Sequence, residues 1–348
     1  MPDGSGRRVF PGVPAEARTY GEAAPADRKI GNTSGSGRTM RPRPMKTTSV
    51  IIDSYNSGRY IAACIDSVLN QTRPADEIIV YDDGSTDESI AILRAYGDRI
   101  TLIEGVHDAT RPDRASQAHA LWRAFERSRG AWVFLLDGDD TFEPVKIERV
   151  LRAVEGRRGV SLVQSPVRRI DASGREFGGH RDPRFHCTDI HAAIYQQHDV
   201  DFFYPTSAMV VHRAALARVL PLDMSFCPLL PCDTQIGMLM PLLGEVITLD
   251  EYLASWRRHG ASFSAVAARS RWYRLQQTVR RVRTFNHSAA RYAAPPISLW
   301  RNRRLYGQAV GALLPEAWRR RLRSAAGWDA VAAKRTGEAA QASSPALA

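Results

Sequence analysis

No run of about 18 consecutive apolar residues occurs anywhere in the 348-residue chain, so no transmembrane helix is expected. Cysteine is scarce. Cys64, Cys187, Cys227 and Cys232 form no CxxC pair and no dense framework, a usage that suits a reduced, cytoplasmic protein. Residues 1–46 lack the apolar centre of a signal peptide, and their Gly, Pro, Ser and Arg content reads as a disordered leader. A basic stripe over the folded part, the footprint of a nucleic-acid binder, is also missing. The formal net charge of +11 is carried by the flanks: residues 1–46 hold 9 Lys/Arg against 4 Asp/Glu, and residues 267–348 hold 16 against 3. The centre, 47–266, is acidic, with 23 against 30, which argues against nucleic acid as a partner.

What is present is an alternation. "TSVIIDS" is a short β-branched apolar run followed by polar turn residues, then Ile61, Ile65, Val68 and Leu69 at helical spacing. "EIIVYDDGSTDESIAILRAYG" repeats the unit: a strand, an acidic turn, and a helix for which Ser85 or Thr86 is the expected N-cap. "RITLIEG" predicts a third strand, "ASQAHALWRAFERSRG" a helix closed by Gly130, "AWVFLLDGDD" a fourth strand, and "PVKIERVLRAVEG" another helix. Strands alternating with helices imply a doubly wound α/β fold with a mostly parallel sheet, in which ligands bind outside the carboxyl ends of the strands. Three polar clusters fall at those ends, Asp53–Asn56, Asp82–Asp87 and Asp137–Asp140, and should converge on one crevice. Beyond residue 160 the pattern predicts antiparallel strands mixed with helices: a hairpin about the turn Asp171–Gly174, a strand and helix in "SAMVVHRAALARVL", a short helix in "CDTQIGMLMPLLG" and two extended pieces in "EVITLDEYLASWRRHG".

The carboxylates need a reason. Like charges about 4 Å apart cost on the order of 1 kcal/mol in water and more beside a low-dielectric wall. Asp137, Asp139 and Asp140 therefore belong either to a solvated turn or around a divalent cation, and hard oxygen donors suit Mg²⁺ or Mn²⁺.

"SVIIDSYNSGRYIAACIDSVLNQTRPADEIIVYDDGSTDES" together with "FLLDGDD" resembles glycosyltransferase family 2, over Thr48 to Ser264. The resemblance implies a GT-A fold. It also implies inverting transfer of a sugar from a nucleotide donor to a glycan or lipid-linked acceptor, usually with Mn²⁺ or Mg²⁺. It divides the chain into a GT-A domain at 47–266 (a nucleotide-sugar half, 47–158, and an acceptor half, 159–266), a basic helical extension at 267–325 and a disordered tail at 326–348. A role in surface polysaccharide or glycolipid assembly goes with it.

Carried over by position, Ser54, Tyr55 and Asn56 lie along the nucleotide, Tyr55 offering a face to the base. Asp53 stands where the family usually has proline. Asp83 accepts from the base and Asp82 supports the same site, while Asp87 is a helix cap. Gln117 touches the donor. Asp139 coordinates the metal, Asp137 addresses the donor ribose or the metal, and Asp140 supports them from behind. Asp233, at the start of a helix, is the expected catalytic base, with Cys232 replacing the usual acid beside it. In "SWRRHG", His259 completes the metal shell or meets the pyrophosphate, and Arg257 or Arg258 neutralises the leaving group.

Alternatives stay open. A nucleotidyltransferase should show a Gly-rich basic phosphate loop, whereas "DSYNSGRY" has one glycine and one arginine. An inert nucleotide-sugar-binding homologue fits the departures at Asp53, Trp122 and Cys232. His180, His186, Cys187, His191 and His198 match no standard zinc spacing and read as an acceptor-side loop. The Trp, Leu and Arg rhythm of "LWRNRRLYGQAVGALLPEAWRRRLRSAAGW" suits either a solvated basic helix or peripheral contact with the anionic inner face of the cell membrane.

Overall fold

A computed structural model describes residues 47–187, 189–260 and 271–313; the leader and tail expectations lie outside these. The apolar runs become β1 (Thr48–Ser54), β2 (Glu77–Asp82), β3 (Thr101–Glu104) and β4 (Trp132–Asp137). Val50–Ile52 and Val133–Leu136 are at most 2% exposed, the burial on both faces that a helix-covered parallel strand requires. Helices α1 (Ile61–Leu69), α2 (Ser89–Ala95), α3 (Asp113–Arg127) and α4 (Lys146–Ala153) alternate with them.

With β6 (Val160–Gln164), β9 (Met209–His212) and β10 (Glu245–Thr248), these strands form a seven-stranded sheet in the order β10-β6-β9-β4-β1-β2-β3. Within it only β9 runs antiparallel to its neighbours, β4 and β6. Parallel register sets Asp53 beside Asp137, and Ser54 beside Asp82, so the polar strand ends share one edge.

A second sheet, β5-β11-β7-β8, combines β5 (Thr141–Phe142), which follows the aspartate cluster, with β7 (Val167–Ile170), β8 (Glu176–His180) and β11 (Ala254–Arg257). The expected hairpin joins β7 to β8, with Gly174 in the left-handed region at φ +87° and its N–H donating to Asp171 O at 3.0 Å. The acceptor half also carries α5 (Ile190–Gln197), α6 (Arg213–Val219) and α7 (Cys232–Leu239). They are followed by α8 (Arg271–Ala289) and α9 (Arg303–Leu313). Val282, Phe285 and Ala289 of α8 are fully buried in the same apolar core as the sheet.

Two local expectations change. Neither Ser85 nor Thr86 caps α2: the Ser85 hydroxyl donates to Asp82 and the Thr86 N–H donates to Asn56, while Asp87 accepts from the Ser89 N–H at 3.0 Å. Gly130 does not end α3, which stops at Arg127; a Cβ there would lie 2.4 Å from the Ser49 backbone nitrogen, so glycine permits the close approach of the chain entering β4 to β1.

Candidate active site

The carboxyl ends of β1, β2 and β4 open into a cavity of about 970 Å³. On its nucleotide side, Tyr55 is 45% exposed and stacks on His107, ring centres 4.3 Å apart and 14° from parallel. His107 Nδ1 meets Asp83 Oδ2 at 2.9 Å, and the other oxygen of Asp83, Oδ1, is buried without a hydrogen-bond partner among the described residues. A buried lone carboxylate oxygen at a cavity wall is an acceptor for a ligand N–H. Asn56 adopts φ +49° and holds the neighbouring turn by accepting from the Thr86 N–H at 2.8 Å.

Asp82 does not belong with these. It is fully buried, accepts from Ser54 Oγ (3.1 Å), Ser85 N (2.7 Å) and Ser85 Oγ (2.7 Å), and does not line the cavity. The period-two alternation of the strand end explains the split: Asp82 points inward and braces the turn that presents Asp83.

Ligand oxygens of Asp137, Asp139 and Asp140 lie within 4.8 Å of one another, the one such cluster among the described residues. Asp140 is fully buried, with both oxygens engaged, by Ser207 Oγ at 2.5 Å and the Arg257 N–H at 2.7 Å. It does not line the cavity. Gln117 Nε2 donates to Asp137 Oδ1 at 3.0 Å, so its contact in this structure is the aspartate. His259 Nε2 meets Asp139 Oδ2 at 2.9 Å. Hard, anionic oxygens at the cavity wall fit a small divalent cation that takes its remaining ligands from phosphate and water.

Burial above all, then the neighbouring Asp53 charge, pushes the Asp137 carboxyl well above the usual range. Burial and the charge of Asp139 do the same to Asp53, raising it to about 7, with the neighbouring Asp137 side chain working in the opposite direction. Burial and the Asp139 charge also raise Asp140. An added cation favours the ionised forms of all three.

In metal-free protein this cluster sets a pH trend. A carboxyl near 3.8 in the unfolded chain and about 7 when folded holds its proton only in the native state, so stability falls as pH rises through that window. The contribution from Asp53 is at most about 4 kcal/mol. The melting temperature of metal-free protein is expected to drop between pH 5 and 8, and Asp53→Asn to flatten the drop and melt higher at pH 8. Parallel curves for the two proteins would remove Asp53 as the cause.

Arg257 lines the cavity, but its hydrogen bonds serve the scaffold: Nε donates to Asp139 O at 2.7 Å and an η nitrogen to Asp171 O at 3.0 Å. Its guanidinium covers the Tyr60 ring at 4.7 Å. Arg258, expected beside the donor, is turned away. Arg258 covers the ring of Trp256 at 4.9 Å and is not itself among the residues that line the cavity.

Across the cavity, Asp233 stands in the first turn of α7, with Oδ1 accepting from the Thr234 N–H at 2.5 Å. It is near enough to Asp137 for its charge to raise that carboxyl. Cys232 beside it is fully buried, and burial raises its thiol, leaving an inert side chain. The histidines of 180–198 do not gather. His180 lines the cavity, His191 packs on Tyr195, and His198 ends α5 at φ +51°.

Three contributors escaped sequence reading. His107 lies just beyond β3, a strand end that carried no acidic cluster to mark it. Lys146 interrupts an apolar helix face; it is 1% exposed, donates to Ser207 O at 2.6 Å, and burial lowers its ammonium to about 7. Ser207 joins it to the cluster, accepting from the Asp137 N–H at 3.1 Å.

Residues 49–220 match the model of the family described as glycosyl transferase family 2. An uncharacterized glycosyltransferase of Nostoc sp., alr2836, is 32% identical over 232 residues, covering 64% of this chain and 68% of its own length. The chain belongs to glycosyltransferase family 2. A second relative, the Bacillus subtilis protein TuaG, described as a putative teichuronic acid biosynthesis glycosyltransferase, is 39% identical over 103 residues. That match covers 30% of this chain and 40% of TuaG. Among solved structures, S. aureus TarS 1–349 with UDP-GlcNAc superposes with a TM-score of 0.50 at 17% identity, over 68% of this chain and 66% of that one. The Pyrobaculum calidifontis mannosyltransferase PcManGT with GDP-Man and Mn²⁺ also gives 0.50, at 18% identity, over 85% and 84%. These establish the fold of this glycosyltransferase as GT-A. Among the described residues no helix is long and apolar enough to cross a membrane.

Proposed function

We propose that this glycosyltransferase moves a sugar, with inversion, from a nucleotide-diphosphate sugar to a hydroxyl of a glycan or lipid-linked acceptor. The observation that supports the reading is that Asp233 lines the same cavity as Asp137 and Asp139, close enough for its charge to act on Asp137. In this reading Tyr55 and His107 flank the base and Asp83 Oδ1 accepts its N–H. Ser54 and Asn56 form the wall along the nucleotide. A divalent cation, Mn²⁺ or Mg²⁺, held by Asp139 and Asp137 would supply charge neutralisation of the diphosphate. His259 and Gln117 hold those two carboxylates in place, and Asp140, Ser207 and Lys146 support them from below. Arg257 adds positive charge at the same wall. Asp233 takes the proton of the acceptor hydroxyl as its oxygen bonds to the anomeric carbon, and the bond to the diphosphate breaks with its electron pair.

Relatives named for teichuronic acid biosynthesis and chondroitin synthesis support a role in surface polysaccharide or glycolipid assembly. The neighbours solved with UDP-GlcNAc, or with GDP-Man and Mn²⁺, support a nucleotide-sugar donor and a metal. A thermal-shift screen of UDP- and GDP-sugars with and without Mn²⁺, followed by donor hydrolysis assays, tests the proposal. Stabilisation that needs both metal and nucleotide, and release of free sugar, is the expected result. No stabilisation by any nucleotide sugar with Mn²⁺ would end it.

A peripheral membrane contact, of an otherwise cytoplasmic enzyme, has one specific support: Trp300 is 83% exposed beside Arg301 and Arg303. Trp300→Ser is expected to weaken flotation with anionic liposomes. Equal flotation of variant and wild type would remove the contact from this site.

A further inference from the structure

The family match ends at residue 220, yet the cavity continues onto Asp233 and, further along the chain, onto Arg281 of α8 and Arg304 of α9. These two arginines are partly buried. Arg281 pairs with Asp201 at 2.9 Å, and Arg304 pairs with the other oxygen of Asp201 and approaches Asp199 at 3.7 Å. Arg184 continues the row, holding Asp182 at 2.7 Å and facing Asp199 at 3.7 Å. Asn302 Nδ2 donates to His198 O at 2.6 Å, and the Ser298 N–H donates to His198 Nδ1 at 3.2 Å, clamping the same segment to the base of α9. The charge of Asp233 reaches Arg281, so this row stands beside the expected base.

Three guanidiniums alternate with three carboxylates, leaving no net charge to hold an anionic acceptor. The row offers donors and acceptors side by side, the chemistry that adjacent sugar hydroxyls match. Aromatic rings complete the enclosure: Tyr204, Trp256 and Phe185 also line the cavity, with His180 set 5.4 Å from the Tyr204 ring and 6.1 Å from that of Trp256.

We propose that α8 and α9 form the far wall of the acceptor subsite, and that Arg281 and Arg304 select an uncharged saccharide acceptor through this row. The inference rests on the glycosyl-transfer reading above. It assigns specificity to a part of the chain that the family match does not reach.

The test uses the full chain with its preferred nucleotide sugar, Mn²⁺, and a panel of acceptors: neutral p-nitrophenyl glycosides, p-nitrophenyl glucuronide and dodecyl phosphate. The wild type is expected to use a neutral glycoside. Arg281→Lys, which keeps the pair with Asp201 but cannot bond Asp201 and a hydroxyl through one planar fork, is expected to raise the acceptor KM at least tenfold. Its melting temperature and nucleotide affinity should stay close to wild type. Arg304→Lys should do the same. A structural role alone would be rescued by lysine, so an unchanged acceptor KM in both variants overturns the inference, as does preference for the glucuronide or the phosphate, or no transfer to any neutral glycoside by an enzyme that binds its nucleotide. Failure of the wild type to bind any nucleotide with Mn²⁺ instead overturns the proposed function on which this one stands.

Discussion

Asp233→Asn is expected to lower transfer by about 10²–10⁴-fold, the usual contribution of a positioned general base, while nucleotide–Mn²⁺ binding stays within twofold of wild type. The substitution is nearly isosteric. Among the described residues only Oδ1 of Asp233 is anchored, by the Thr234 N–H at 2.5 Å and the Thr234 hydroxyl at 3.2 Å, and an amide oxygen accepts the same bonds. The start of α7 should therefore keep its shape, and what is lost is the capacity to take a proton. Single-turnover transfer and nucleotide titration, run on the same preparation, separate the two effects. Turnover within tenfold of wild type would take the proton-accepting role away from Asp233. Loss of nucleotide binding in parallel would show that the residue shapes the donor site instead.

Asp139→Ala is the second large effect, and here binding itself should fail. Asp139 faces the cavity with Oδ2 on His259 at 2.9 Å, and its backbone oxygen accepts from Arg257 at 2.7 Å. Removing the side chain leaves the backbone strut and takes away one of the two carboxylates proposed above to hold the metal. With ligand at about 100 times Kd, metal and nucleotide together stabilise a folded protein by roughly 2.7 kcal/mol, a rise of several degrees in melting temperature for a domain of this size. That rise is expected in the wild type and absent in Asp139→Ala, with transfer reduced about 10³-fold. The metal-free variant should melt no lower than metal-free wild type, since a charge that raises both Asp53 and Asp140 has gone. A full nucleotide-dependent shift in Asp139→Ala would move metal binding to other residues.

The contrast between Asp82 and Asp83 shows where sequence reading reached its resolution. The acidic pair after β2 was legible as a strand-end cluster, because the apolar run before it and the helical spacing after it are local patterns. Which of the two faces a ligand depends on the side of the sheet each occupies and on Ser54 of the neighbouring strand, 28 positions away. Arg257 and Arg258 also divide: Arg257 lines the cavity over Tyr60, whereas Arg258 lies over Trp256 without lining it. Lys146 looked like an ordinary charged helix residue. Its burial goes with the carbonyl of Ser207, 61 positions on, which accepts its hydrogen bond.

By itself the sequence determined the βαβ alternation, the shared edge of acidic strand ends and the helix that begins at Asp233, because periodicity and capping act over a few neighbouring residues. Only the tertiary structure decided that Asp53 and Asp137 lie side by side and that the Asp53 charge raises Asp137, that His107 backs Asp83, and that arginines from the last described helices reach Asp201. Those arrangements are contacts between segments far apart in the chain. Their energies come from burial and charge in a common cavity, which no local pattern encodes.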